Sequence, residues 1–258
     1  MYTKWFVFWS GSLKSNCVIM KILSLAFLSV ILLSSNACRP FGKRIKGNGN
    51  PVTETRNISR ADRLSVRGDF DVVITSGETA VKVTADENLM RYIRVEMDDN
   101  ELVIQTAEGV NLSSDNNITI NISTPTFREA NVLGSGNITS NDKFVSTEKI
   151  TLKTTGSGNI TVAVNSPEVI AGITGSGDIN VSGETRLLKV SITGSGNYNG
   201  QELKSEDADV SIAGSGNATV FADVSLKGRI SGSGPIRYRG NAAVTKSISG
   251  SGTIEPLN

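Results

Sequence analysis

Glu206, Asp207 and Asp209 form the densest acidic group in the second half of the chain. Two carboxylates held at a set separation in a groove can hydrolyse a glycosidic bond, one as acid and one as base or nucleophile. Asp207 and Asp209 are two residues apart, so on a strand they would share a face. The aromatic residues that stack against sugar rings are scarce here: Tyr198, Phe221 and Tyr238. A charged, solvated face accounts for the same cluster. A carbohydrate-active enzyme using these surface carboxylates therefore stands as the alternative to a non-enzymatic reading.

Other catalytic chemistry is narrower still. The chain has no histidine, which removes histidine bases and histidine metal sites. Serines 135, 157, 176, 195, 215, 233 and 251 each lie between two glycines. None stands in a Gly-x-Ser-x-Gly elbow leading into a helix, and no base is near, so they read as turn residues. The position after each tripeptide carries Asn137, Asn159, Asp178, Asn197 and Asn217, then Pro235 and Thr253. Short amide side chains tolerate turns and bond nearby backbone. Stacked along one edge they could form an asparagine ladder. Calcium needs several carboxylate or carbonyl oxygens around one point. Asp178 is the one acid beside these turns, so neither a metal nor another cofactor is expected.

The elements that would position these residues repeat. The paired glycines are Gly134 and Gly136, Gly156 and Gly158, Gly175 and Gly177, Gly194 and Gly196, Gly214 and Gly216, Gly232 and Gly234, Gly250 and Gly252. Successive copies are 18 to 22 residues apart. Two residues before each copy stand Val132, Thr154, Ile173, Ile192, Ile212, Ile230 and Ile248; four after the first glycine stand Ile138, Ile160, Ile179, Tyr198, Ala218, Ile236 and Ile254. Apolar residues at even offsets mark half-buried strands. A strand–turn–strand unit this short cannot bury its apolar side alone, but stacked units pool it. The fold expected is all-β: a parallel β-solenoid with rungs of about 19 residues over 131–258, behind a less regular β block at 51–130. Strands are predicted there at 63–66, 71–75, 81–84, 93–97, 101–105 and 118–123, with one helical turn between Asp86 and Tyr92 capped by Asp86 or Asn88. Gly47-Asn48-Gly49-Asn50 reads as a degenerate copy of the corner. Glu255, Pro256 and Asn258 could end the stack by blocking edge pairing.

Residues 1–38 read as a secretory signal, with Met20 as the functional start. Lys21 precedes the apolar run 22–33, which ends in Ser34-Ser35-Asn36-Ala37-Cys38. Cys38 follows a small residue where a lipoprotein signal places its lipidated cysteine, although Ser35 stands where leucine is usual. Residues 39–50, with Arg39, Lys43, Arg44 and Lys46, read as a basic, Gly-rich tether suited to anionic headgroups. The net charge of +1 and 5% aromatic content leave no basic, aromatic stripe, so nucleic acid is not an expected partner.

The Gly-Ser-Gly-Asn-Ile copies, Gly47-Asn48-Gly49-Asn50, and Arg63-Leu64-Ser65-Val66 with Phe70-Asp71-Val72 resemble the putative auto-transporter adhesin, head GIN domain family. That resemblance spans roughly residues 51–240. It implies a β-solenoid of parallel strands, a cell-envelope location of Bacteroidetes type, and no catalytic residue. The expected function is a non-enzymatic envelope lipoprotein, anchored to the outer membrane through Cys38 and facing the periplasm or the cell surface. Its head would bind protein or glycan, adhesively or structurally. A homo-oligomer through one side of the stack is compatible with the pattern.

Overall fold

The computed structural model describes residues 42–257. The signal region, Cys38 and Arg39 lie outside them, as does Asn258. The described chain is an all-β, parallel solenoid. Each rung has a strand running into a corner and a strand running out of it. Glu129–Gly134 pairs in parallel with Ile150–Gly156, which pairs with the later part of Asn159–Gly175, and so on through Asp178–Gly194, Asn197–Gly214 and Ser225–Gly232 to Ala243–Gly250. The outgoing strands stack likewise, ending at Ile236–Arg239 and Ile254–Pro256. Even-offset residues of both strands point into one core. Ile173, Ile192 and Ile212 are each 1% exposed.

The six strands predicted in the first half are present, but their role differs from an irregular block. Arg63–Gly68 pairs in parallel with Glu129–Gly134 above it and with Glu101–Thr106 below it. Asp71–Ser76 pairs with Asn137–Val145 and with Thr119–Thr124. The chain therefore lays one rung at 63–76, doubles back to lay another beneath it at 101–124, and then crosses to 129. A spatial order that departs from chain order leaves no even spacing to read.

Below that lowest rung the edges are covered. Ala80–Asp86 pairs antiparallel with Thr119–Thr124, Pro51–Arg56 pairs with Ala80–Asp86, and Ile93–Asp98 pairs with Glu101–Thr106. The helical turn is a 3-10 turn at Met90–Tyr92, with no side-chain cap. Both expected caps are engaged elsewhere. Asp86 accepts from Ser114 Oγ at 2.6 Å and Asn116 Nδ2 at 2.8 Å, bonds that hold its carboxyl below the usual range. Asn88 donates to Lys46 O at 2.8 Å and accepts from the Asn48 amide at 2.9 Å.

Those contacts also bear on residues 42–50 of the segment read as a tether. From Gly42 onward this segment is ordered into the fold: Lys43–Lys46 is a strand, paired in parallel with Val110–Ser113. Gly47-Asn48-Gly49-Asn50 is not a corner copy, because Asn88 pins it beside the 3-10 turn. The corner beneath Gly134 is Gly68-Asp69-Phe70-Asp71, where Gly68 has φ +126° and its carbonyl accepts from the Ser135 and Gly136 amides at 3.1 and 2.8 Å.

Candidate binding surface

The corner explains why both of its glycines are needed. Gly194 has φ +120°, in the left-handed half of backbone space that L side chains avoid. Gly196 has no such torsion, but a Cβ there would lie 2.2 Å from Gly177 O and 2.6 Å from Ile173 Cγ2. The inward isoleucine of one rung thus occupies the space a side chain would need on the next rung's second glycine. The serine between is exposed at every corner. The pairs from Gly134 and Gly136 to Gly250 and Gly252 stack in one column, each corner's serine amide donating to the first glycine's carbonyl below, as Ser195 does to Gly175 O at 2.8 Å.

Beside this column runs a hydrogen-bonded row of half-buried side chains. Asn137 Nδ2 donates to Asp71 Oδ1 at 2.8 Å, and Asn159 Nδ2 donates to Asn137 Oδ1 at 2.9 Å. At the next level Asp178 uses its backbone amide to donate to Asn159 Oδ1 at 3.0 Å. Its carboxylate then accepts both the side-chain amide of Asn197 at 2.8 Å and its backbone amide at 3.0 Å. Asn217 donates to Asn197 Oδ1 at 2.6 Å, and Pro235 ends the row. An amide column donates in one direction and needs an acceptor at its foot, which Asp71 supplies. Each such bond contributes about 1 kcal/mol net, so the row ties rungs together and is engaged internally. Asp71 was not visible from the repeat because Asp69-Phe70 replaces Ser-Gly there. A hydroxyl column stands at the opposite bend, where Ser166, Thr185 and Ser205 stack, buried. Ser166 and Thr185 each cap their own turn, bonding Glu168 O and Leu187 O. Their spacing of 19 and 20 residues was a signal for them.

Asp207 and Asp209 share the outer face of one strand on either side of buried Ala208, as expected, but no groove gathers the three acids. Glu206 is exposed beside Glu184 and Arg186 in one shallow depression, while Asp209 lies in another with Lys189 and Arg229. Asp207 accepts from Ser225 Oγ at 2.5 Å and Asp209 pairs with Arg229 at 2.6 Å.

The family model described as putative auto-transporter adhesin, head GIN domain, matches residues 62–242. The chain belongs to this family. Solved structures share the fold. A putative lipid binding protein from Parabacteroides distasonis is 27% identical, with 84% of this chain and all of that chain covered and a TM-score of 0.69. A putative adhesin from Bacteroides fragilis is 20% identical, covering 83% and 100%, with a TM-score of 0.77. A putative adhesin from Parabacteroides merdae is 24% identical, covering 84% and 100%, with a TM-score of 0.67. No curated protein matches.

Within the head GIN domain, a cleft of about 510 Å³ opens where the corner column begins. The lowest rung has no tight corner; residues 107–118 make an excursion instead and form the opposite wall. The floor includes Phe70, Val110 and Leu112, and the rim carries Arg67, Asp69, Asn111 and Asn117. Among the described residues, Arg67, Asp69 and Asn111 have no side-chain partner, whereas Asn117 donates to Asp71 at 3.2 Å. A second hollow, of about 530 Å³, lies by the 3-10 turn. Two of its polar groups are engaged: Arg56 pairs with Glu54 at 2.8 Å, and Asn88 is held as above.

Proposed function

We propose that this chain is a non-enzymatic, envelope-anchored binding head whose corner cleft takes a glycan. The observation that carries the reading is the cleft's rim. A guanidinium, a carboxylate and an amide without side-chain partners among the described residues stand around an apolar floor, a mixture of donors and acceptors suited to a polyhydroxylated ligand. Asp69 can accept hydroxyl donors while Arg67 and Asn111 donate. The adhesin descriptions of the relatives agree with a binding role. The description of the Parabacteroides distasonis relative as lipid binding is less easily carried over, because side chains fill the solenoid core and the cleft is open and polar-rimmed.

The reading contains no reaction. Asp71, the second acid in the cleft, is taken up by Asn117 and Asn137, and Asp207 and Asp209 are engaged on another part of the surface. Anchoring would come from a lipid on Cys38 at the outer membrane. Incorporation of a labelled fatty acid that Cys38→Ala abolishes is the expected result; unchanged labelling defeats the anchor. For the cleft, Asp69→Ala should lower glycan binding on an array of bacterial and host glycans about tenfold, since a charged hydrogen bond is worth about 1.5 kcal/mol or more. Ser195→Ala, on the corner column, should not. Equal binding by both variants would place the ligand elsewhere.

A further inference from the structure

The two ends of the solenoid are built differently. The N-terminal end is covered by antiparallel strands. At the C-terminal end, Ala243–Gly250 and Ile254–Pro256 each pair on one side only among the described residues. The last rung nevertheless keeps its regular shape. Gly250 has φ +124°, and the Ser251 and Gly252 amides donate to Gly232 O at 3.0 and 3.1 Å. Its free edge therefore repeats the template on which earlier rungs are stacked, and such an edge invites pairing. Ile248 is 44% exposed there, while Ile230, one rung inward, is 3% exposed.

Lys246 interrupts that template. It stands in the inward column formed by Ala130, Leu152, Ala171, Val190, Val210 and Gly228. Its Nζ reaches across the end of the core to the outgoing strand and donates to Ile254 O at 2.6 Å. A strand added to this edge would shut the ammonium in among the terminal isoleucines, where an unpaired charge is strongly disfavoured. An inward-pointing charge on an edge strand is a known means of blocking edge-to-edge pairing.

We propose that Lys246 keeps the C-terminal end of the solenoid from pairing with a second copy of this chain. The occupant it excludes is a second copy for a geometric reason. The strands left with a free edge at the N-terminal end, Pro51–Arg56 and Ile93–Asp98, belong to separate antiparallel pairs with no glycine corner between them. They do not repeat the rung template, so the end that matches the open end is another open end. Two such ends meet about a two-fold axis, with their strands antiparallel, and close as a dimer without growing into a filament. Lys246 is the one charged residue in Ala243–Gly250, the longer of the two edge strands, while Glu255 and Pro256 blunt only the short Ile254–Pro256 edge.

The test is the molar mass of the full chain in mild detergent, by size exclusion with light scattering. The wild type should be monomeric and Lys246→Val dimeric at the same concentration. Lys246→Arg should stay monomeric, and adding Ile248→Lys to Lys246→Val should restore the monomer by returning a charge to the same end. A Lys246→Val chain with wild-type circular dichroism that remains monomeric overturns the proposal. So does a wild-type dimer that Ile248→Lys alone dissolves.

Discussion

Ile192→Asp is expected to destabilise the protein by about 4 kcal/mol or more, at the upper end for one substitution. Ile192 is 1% exposed and sits between Ile173 and Ile212 in the inward column. Its Cγ2 lies where a Cβ on Gly216 would be, 2.7 Å away, so it fills the space above the next corner. Removing it forfeits about 2–3 kcal/mol of apolar burial. The new carboxylate would have no cation beside it: its inward neighbours are Ile173, Val190 and Ile212, and charge without a partner in such surroundings adds several kcal/mol. The check is a urea melt followed by circular dichroism. Thr193→Asp, one residue along and exposed, should move the midpoint little. An unchanged midpoint for Ile192→Asp would mean that this column does not face the core.

The same column shows what the sequence makes legible. An isoleucine two residues before a glycine, repeated at even intervals, reports both strand period and rung length, because each rung must present the same side chain at the same level. Where that demand relaxes, the pattern fades. Thr154 takes an isoleucine position because its hydroxyl bonds Gly158 O at 2.8 Å. Tyr198 takes another, buried with a hydroxyl that has no partner, and Gly200 leaves room for its ring: a Cβ there would meet the Tyr198 hydroxyl at 2.6 Å. The first corner breaks the pattern for a different reason. Gly68 keeps the torsion, but Phe70 replaces the second glycine, and no even interval links it to Gly134. Nor does the cleft follow any repeat. It exists because residues 107–118 replace a tight corner with an excursion, and its rim residues, Arg67, Asp69 and Asn111, come from two segments that only the swapped rung order brings together.

Gly194→Ala should cost about 3 kcal/mol or more, from two separate penalties. The torsion of +120° is one that an L residue adopts only under strain. A Cβ there would also lie 2.4 Å from Gly175 O, a backbone atom that cannot rotate aside. The rungs at Gly175 and Gly194 would have to separate, lengthening the Ser195 amide to Gly175 O bond and loosening the Asp178–Asn197 contact beside it. Ser195→Ala is the control, because its side chain is exposed and should change stability by less than about 0.5 kcal/mol. The form of the melt carries as much information as its midpoint. In a stack held by nearest-neighbour contacts, weakening one interface in the middle uncouples the two sides. Gly194→Ala should therefore broaden the urea transition or split it in two, with a lower apparent m-value. Ile192→Asp, whose buried carboxylate faces both neighbouring levels, should lower stability with less splitting. A single sharp transition for Gly194→Ala at the wild-type midpoint would mean that the corners only connect strands. A split one would mean that the glycine column carries cooperativity from rung to rung.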